Sequence, residues 1–146
     1  MRTVETLLKN KSNQAWSIGR SQTVYEAIKL MGDKDIGALP VIENNRLIGI
    51  ISERDYSRKI KLLNLSSDDT LIENVMTRRV YYTEPNESID SCMRLMTEKH
   101  IGHIPVLKNK ELIGMISLGD VVKQVFESQK EKIKELEHYI SWEESY

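Results

Sequence analysis

The stretch IGALPVIENNRLIGIISERD, residues 36–55, returns as IGHIPVLKNKELIGMISLGD at residues 101–120. The two stretches are 65 positions apart, and 11 of their 20 aligned residues are identical. The identical residues include the Ser and the Asp that stand at the C-terminal end of each stretch. The similarity continues upstream, where the Leu-Met pair at 30–31 aligns with the same pair at 95–96. Identity on this scale, without any low-complexity segment, indicates two copies of one structural unit.

The repeat determines how the chain is divided. We predict a first unit at 1–64, a link that includes the start of the second unit at 65–74, the second unit at 75–126, and a C-terminal helix and tail at 127–146. The segment before the repeat is longer in the first copy, which predicts an insertion near KNKSNQ, residues 9–14. A chain of 146 residues is long enough to bury a core of its own.

Within the first copy, the apolar pattern changes from helical to extended. Apolar residues recur at helical spacing over 23–35, and Gly37 supplies a stop. The runs ALPVIE and LIGIIS flank the turn ENNR and predict a hairpin of strands at 38–43 and 47–51. Ser52 then caps a second helix, which continues through YSRKIKLL.

The second copy repeats this plan, with Ser88 and Ser117 as helix caps. A short strand is predicted before the first helix of each copy, near 16–18 and 80–83. Each copy therefore has the order strand, helix, strand, strand, helix. This order predicts an α/β (α+β) fold made of two similar halves.

Residues 121–140 are predicted to form one long helix. Its apolar residues fall near one face, and charged residues flank them. The apolar stripe consists of Val122, Phe126, Ile133, Leu136 and Ile140. It can pack on the module itself or on a second chain. We favour contact with a partner, because a two-unit module already has a core of its own.

Composition limits the classes of function. The net charge is −1, which offers no basic surface for nucleic acid. No apolar run reaches the roughly 20 residues that span a bilayer, and the first residues lack the apolar core of a signal peptide. The single cysteine, Cys92, cannot form an internal disulfide. We therefore predict a cytoplasmic protein that binds neither nucleic acid nor membrane.

The repeated unit resembles the cystathionine β-synthase (CBS) domain. The resemblance rests on the patterns I-G-x-x-P-V, L-I-G-x-I-S and S-x-x-D, which occur in that order twice between about Val4 and Val125. The chain is similar to stand-alone bacterial CBS-pair proteins. The resemblance implies two domains packed with pseudo-twofold symmetry, a homodimer of such pairs, and clefts for adenosine-containing ligands such as AMP, ADP, ATP, NAD or S-adenosylmethionine.

The S-x-x-D pattern marks the centre of each expected cleft. A helix start leaves free backbone N–H groups that attract anions, and a carboxylate on its first turn can accept the two hydroxyls of a ribose. The family's ribose-binding Asp aligns with Asp55 and Asp120. Ser52 and Ser117 fit either a phosphate contact or a helix cap. The alternative for the whole pattern is a capping box without any ligand.

The residues between Ser and Asp differ in the two copies. Arg54 has forked donors that suit phosphate, with Arg58 and Lys59 in support; the alternative is a solvated helix face. The second copy has Leu118 and Gly119 at these positions and no cation. We therefore predict two clefts that differ in the ligand or the number of phosphates that they prefer.

The segments IGALP and IGHIP are expected to line the adenine, largely through backbone groups, as the resemblance implies. Their residues are Gly37, Ala38, Leu39 and Pro40 in the first copy and Gly102, His103, Ile104 and Pro105 in the second. For Leu39 and Ile104, packing in the core is an equal alternative. His103 either contacts a base or a phosphate, or is an ordinary surface histidine.

The resemblance implies a third contact from the segment that enters each first strand. The candidates are Thr77, Arg78 and Val80 in the second copy, and Ile18 and Arg20, with Trp16, in the first. Tyr81 and Tyr82 either stack on adenine or belong to the core. The predicted insertion directly precedes this segment in the first copy.

We predict a regulatory module that binds adenine nucleotides as an energy or redox sensor and acts on a protein target not identifiable from the sequence. The alternative is a constitutive dimerisation scaffold whose clefts are vestigial. A catalytic function is not predicted, because no nucleophile has a base beside it and no catalytic cofactor is implied. No metal site is predicted either, because His100, His103 and Cys92 lack further ligands at suitable spacing.

Overall fold

The structure is a computed structural model that describes residues 2–11 and 15–144. The core of the predicted insertion, residues 12–14, lies outside the described residues. The helices are α1 Val4–Asn10, α2 Val24–Lys34, α3 Glu53–Asp55, α4 Ile89–Lys99 and α5 Leu118–Glu144. A π-helix, Tyr56–Lys61, continues α3, and a 3-10 turn covers Ile72–Asn74.

The two predicted hairpins are confirmed. The strands are β1 Ala38–Glu43, β2 Arg46–Ser52, β3 His103–Lys108 and β4 Glu111–Ser117. Both antiparallel pairs have the same register, with the first residue of one strand opposite the final serine of the other. The two residues of each turn have positive φ, a conformation that asparagine tolerates and that matches the twist of a tight hairpin. The repeat in sequence is thus a repeat in structure.

The helices before the hairpins begin at capping side chains. The Thr23 side chain accepts from the Glu26 N–H at 3.2 Å, and Ser88 accepts from Ser91 N–H at 3.0 Å. The expected stop at Gly37 was wrong, because α2 already ends at Lys34 and the next residue, Asp35, takes the left-handed conformation itself. An aspartate tolerates this conformation better than most residues, so no glycine is required there.

The short strands expected near 16–18 and 80–83 are single bridges rather than strands. Ile18 pairs in parallel with Val41, and Thr83 pairs in the same way with Val106. After Ile18 the chain turns at once, since the Gly19 N–H donates to the Gln22 side chain and the Gln22 N–H donates back to the Gly19 carbonyl. The turn leaves no length for a strand before the cap of α2.

Helix α1 was not predicted from the sequence. Thr3 caps it by accepting from the Thr6 N–H, and Val4, Leu7 and Leu8 share its buried face. Their i, i+3, i+4 spacing is a helical signal, but seven residues are too few to stand out. Helix α1 packs on the second unit rather than on the first.

The core consists of two clusters. Each cluster is completed by a segment that lies outside its own unit in the sequence. The first core cluster contains Ile18, Val24, Ala27, Met31, Leu39, Val41, Ile51, Ile60, Ile72, Val75 and Met76. The second core cluster contains Val4, Leu7, Leu8, Ile89, Cys92, Met96, Ile104, Val106, Ile116 and Val121. The segment 72–76 thus closes the first cluster, and 4–8 closes the second. This exchange interlocks the two units.

The predicted C-terminal helix is confirmed and is longer than expected. Helix α5 begins at Leu118 and continues to Glu144, and Val121 in its first turn is buried. The five residues of the predicted stripe are each between 45% and 64% exposed. The stripe therefore does not pack on its own module.

Candidate ligand-binding clefts

Two clefts open beside the starts of α3 and α5. The first cleft has a volume of about 400 Å³ and is lined by Gly37, Ala38, Ile50, Ser52, Glu53, Arg54, Asp55, Thr77, Arg79, Val80, Tyr81, Ile101, Gly102 and His103. The second cleft has a volume of about 380 Å³ and is lined by Lys11, Trp16, Lys34, Asp35, Ile36, Gly37, Ala38, Pro40, His103, Met115, Ser117 and Asp120. Each cleft contains one of the two repeated Ser-Asp pairs, and both share the segment 37–38 and His103.

Asp55 forms a capping box with Ser52 at the start of α3. Its Oδ2 accepts from the Ser52 N–H at 2.9 Å and from the Ser52 hydroxyl at 3.1 Å, and the Asp55 N–H donates back to that hydroxyl oxygen. The other oxygen, Oδ1, accepts from the Thr77 hydroxyl and lies near Nζ of Lys59, both at 3.2 Å. Asp55 nevertheless lines the cleft, so capping the helix leaves it beside a bound ligand.

Asp120 forms the corresponding box in the second cleft. Its Oδ2 accepts from the Ser117 N–H at 2.9 Å, and the Asp120 N–H donates to the Ser117 hydroxyl oxygen at 3.1 Å. The same Oδ2 accepts from Nζ of Lys11 at 2.7 Å. Burial acts to raise the pKa of Asp120, but the hydrogen bonds from Lys11 and Ser117 outweigh it and lower the pKa below its usual value. Asp120 is therefore a carboxylate near neutral pH.

Arg54 stands at the first cleft and spans the two units. Its Nη1 donates at 2.8 Å to the carbonyl of His100, the residue that ends α4. A cation suits the negative end of a helix dipole. Arg79, which was not among the predicted site residues, also lines the first cleft, with its guanidinium 5.8 Å from the centre of the Tyr81 ring. The adjacent arginines at 78 and 79 were the available signal, and Arg78, the predicted member of the pair, lies outside the lining of this cleft. Arg58 lies outside the lining of both clefts.

The segment after the 3-10 turn completes the first cleft, although by sequence it belongs to the second unit. Thr77 pairs with Ile50 of β2 through two backbone hydrogen bonds, and Val80 lines the cleft beyond it. The close approach requires a glycine in β2, since a Cβ at Gly49 would lie only 2.5 Å from Sδ of Met76. Arg78 points elsewhere and donates to the Glu73 carbonyl at 2.9 Å.

The candidates near the start of the first unit lie at different places. Ile18 is buried in the first core cluster, and Arg20 forms ion pairs with Glu43 and Glu73 away from the clefts. Trp16 lines the second cleft, with Nζ of Lys34 lying 4.2 Å from the centre of its ring. The length difference between the two copies obscured this alignment.

The predicted adenine segments divide between cleft and core. The structure places Gly37, Ala38 and His103 in both clefts, Gly102 in the first, and Pro40 in the second. Leu39 and Ile104 are fully buried in the two core clusters, and Pro105 is buried outside both linings. Alternation along a strand explains the division, because neighbouring residues face opposite sides.

His103 lies between the clefts and is partly buried rather than a surface residue. A Cβ at Gly37 would lie 3.0 Å from Cε1 of His103, so the glycine permits the ring to sit against the backbone. Burial lowers the pKa of His103, Lys11 lowers it further, and Glu53 and Asp120 oppose the shift. The imidazole is therefore neutral near pH 7. The corresponding residue of the first unit is Ala38.

Other chemistry has little support in the part of the chain that the structure describes. No group of three or more His, Cys, Asp or Glu side chains there is arranged to hold a metal ion. Burial raises the pKa of the Cys92 thiol, which contacts the Thr83 hydroxyl. A thiol in this state is a poor nucleophile. Within residues 2–11 and 15–144, no helix has the length and apolar character needed to cross a bilayer.

The chain is similar in sequence to proteins of one known family. A family model described as the CBS domain matches residues 12–62 and 72–127. The CBS domain-containing protein CBSX3, mitochondrial, from Arabidopsis thaliana is 38% identical over 148 residues, covering 94% of this chain and 71% of that protein. The name of this relative gives a mitochondrial location, so the cytoplasmic localisation expected from composition stays a prediction.

Two solved structures show the same architecture. A protein with CBS domains from Burkholderia ambifaria is 46% identical, with a TM-score of 0.84 and coverage of 88% of this chain and 96% of that one. The CBS domain pair of protein MJ0100, in complex with 5′-methylthioadenosine and S-adenosyl-L-methionine, has a TM-score of 0.77 and 23% identity, with coverage of 88% and 98%. The latter likeness concerns the fold alone.

Proposed function

Because this chain belongs to the CBS domain family, we propose that it is a regulatory module that binds adenosine-containing ligands (AMP, ADP, ATP or NAD) in its clefts. The observation that carries the proposal is the first cleft. It combines a carboxylate at a helix start, Asp55, with apolar walls and two cations, Arg54 and Arg79. An adenosine phosphate needs these three environments in this combination.

Each part of such a ligand has a partner in the first cleft. The two ribose hydroxyls donate to Asp55, where they compete at Oδ1 with the Thr77 hydroxyl and the Lys59 ammonium. The adenine ring lies against Ile50 and Val80 and bonds to backbone groups of 37–38. The phosphates meet the guanidinium groups of Arg54 and Arg79, which form charge-assisted hydrogen bonds. A CBS domain pair of the same fold crystallised with two adenosine compounds, which supports this ligand class.

The same cleft supplies a means of signalling. Arg54 holds the end of α4 through the His100 carbonyl, so it ties the second unit to the first. A ligand phosphate competes for this guanidinium and releases the tie. The released and tied forms present different surfaces to a partner, so differential binding shifts their populations. The module thereby senses nucleotide, as an energy or redox sensor does.

A panel of ligands tests the proposal directly. We expect AMP, ADP, ATP or NAD to raise the melting temperature, because a ligand that binds the folded state stabilises it by about 2.7 kcal/mol at 100 times its Kd. For a chain of this size, at about 2–4 °C per kcal/mol, that corresponds to a shift of roughly 5–11 °C. Differential scanning fluorimetry with GTP as the control measures it. The absence of a shift with every adenosine ligand at millimolar concentration contradicts the proposal and favours the scaffold.

We further propose that two modules pair through the exposed stripe of α5. Its five apolar residues recur at three-, four- and seven-residue steps, and the helix extends well beyond the second core cluster. Such a stripe with charged flanks is typical of a helix that packs on another helix. This dimer is compatible with nucleotide binding, and it is also the observation that favours a constitutive scaffold.

Replacing Ile133 and Leu136 together by asparagine is expected to convert the dimer to monomer, because the apolar contact is lost at two successive positions. Analytical ultracentrifugation at several concentrations measures the mass. The matched control is Lys134→Asn with Glu135→Asn, which imposes a similar loss of helix propensity beside the stripe. A wild-type chain that sediments as a monomer at high micromolar concentration excludes this dimer.

A further inference from the structure

The second cleft contains a feature that the first does not share. The ammonium of Lys11 lies 2.7 Å from Oδ2 of Asp120 and donates to the Met115 carbonyl at 2.8 Å. The two side chains are 35% and 26% exposed, so the pair is partly withdrawn from water. Lys11 lines the cleft itself. One oxygen of the carboxylate that corresponds to Asp55, Oδ2, is thus bonded to a cation that lines the cleft.

The comparison with the first cleft shows that this arrangement is not a general property of the fold. Asp55 also has a lysine partner, Lys59, but that residue is one turn later on the same helical segment. The Lys59 ammonium also donates to the Val75 carbonyl at 2.7 Å, and it lies outside the lining of the first cleft. Both carboxylates therefore have a lysine partner, but only Lys11 lies in the lining of its cleft, where a bound ligand would meet the ammonium.

Lys11 can move without disturbing the fold around it. It follows α1, which is anchored by the buried residues Val4, Leu7 and Leu8 in the second core cluster. The Lys11 N–H donates to the Leu8 carbonyl, so its backbone is held. Displacement then requires only that the flexible side chain rotates, and the ammonium stays within reach of the cleft.

We propose that Lys11 makes the second cleft selective for phosphorylated adenosine ligands over unphosphorylated ones. This inference rests on the proposed function of the clefts. Ribose hydroxyls that bond to Asp120 compete with the Lys11 ammonium for the carboxylate, so that charge is compensated less well. A phosphate on the same ligand compensates the ammonium again, while adenosine offers no anion. Lys59 lies outside the lining of the first cleft, so it does not contribute this preference there.

The test isolates the second cleft by working in an Asp55→Ala background. Isothermal titration compares adenosine with AMP and ATP. With Lys11 present, we expect the phosphorylated ligands to bind about tenfold more tightly or better. Lys11→Met, which keeps the length and removes the charge, should strengthen adenosine and weaken AMP and ATP, so that the ratio falls towards one. Lys11→Arg should retain the preference.

The matched control is Lys9→Met, which removes a neighbouring lysine whose contact is an exposed pair with Glu5 at 3.8 Å. It should leave the ratio unchanged. An unchanged ratio in Lys11→Met overturns the role of Lys11, and so does an Asp55→Ala protein that binds no ligand while the wild type binds. If the wild type itself binds no adenosine ligand, the proposed function fails first, which the same titrations reveal.

Discussion

Replacing Asp55 by alanine is expected to weaken AMP binding in the first cleft by roughly 100-fold. Two ribose hydroxyls that donate to a carboxylate each contribute about 1.5–3 kcal/mol, and a loss of about 3 kcal/mol corresponds to that factor. The variant also loses the capping box with Ser52, which costs about 1 kcal/mol of folding stability. Isothermal titration measures the affinity, and urea unfolding measures the stability.

The two effects of this substitution are separated by a cap that is remote from the ligand. Ser88→Ala removes the side chain that accepts from the Ser91 N–H at the start of α4, and Ser88 lines neither cleft. It should reduce stability by a similar amount and leave the affinity unchanged. If Asp55→Ala binds AMP as tightly as the wild type does, Asp55 is only a cap and the ribose assignment is wrong.

The parts of this fold that are visible in the sequence are those set by local interactions. Thr23 and Ser88 mark helix starts because their side chains satisfy the N–H groups three residues later. The hairpins follow from an apolar run on each side of a turn whose two residues take positive φ. Because the two copies align at an offset of 65 residues, each conclusion about one copy applies to the other. Such signals need no knowledge of what lies across the core.

The contacts between distant segments could not be obtained in this way. Thr77 belongs by sequence to the second unit, yet it pairs with Ile50 and bonds to Asp55. Helix α1 belongs by sequence to the first unit, yet Leu7 and Leu8 close the second core cluster. Nothing in a single sequence states which core a segment joins, because both cores offer the same kind of apolar surface.

The least accurate part of the site prediction lay where the two copies differ in length. An alignment with an insertion near residues 9–14 could not place Trp16 in the second cleft while leaving Ile18 in the core. The same uncertainty concealed Lys11, whose role depends on contact with Asp120, more than a hundred positions away. Charge alone did not distinguish it from the other lysines of the chain.

Leu39→Ala and Ile104→Ala are each expected to lower the free energy of unfolding by about 2–5 kcal/mol, because both remove a fully buried side chain and leave a cavity. The residues occupy equivalent positions of β1 and β3, one in each core cluster. Urea unfolding followed by circular dichroism gives the loss. Tyr25→Ala provides the control, since that ring is half exposed and its removal should cost far less.

The exchange of segments between the units predicts more than the size of these losses. Because 72–76 closes the first core cluster and 4–8 closes the second, neither unit can unfold without exposing apolar residues that the other holds. Leu39→Ala should therefore reduce native-state hydrogen-exchange protection in β3 and β4 as much as in β1 and β2, and Ile104→Ala should do the converse. Protection that falls only in the hairpin carrying the substitution would show that the units unfold separately, with the exchanged segments contributing little to their coupling.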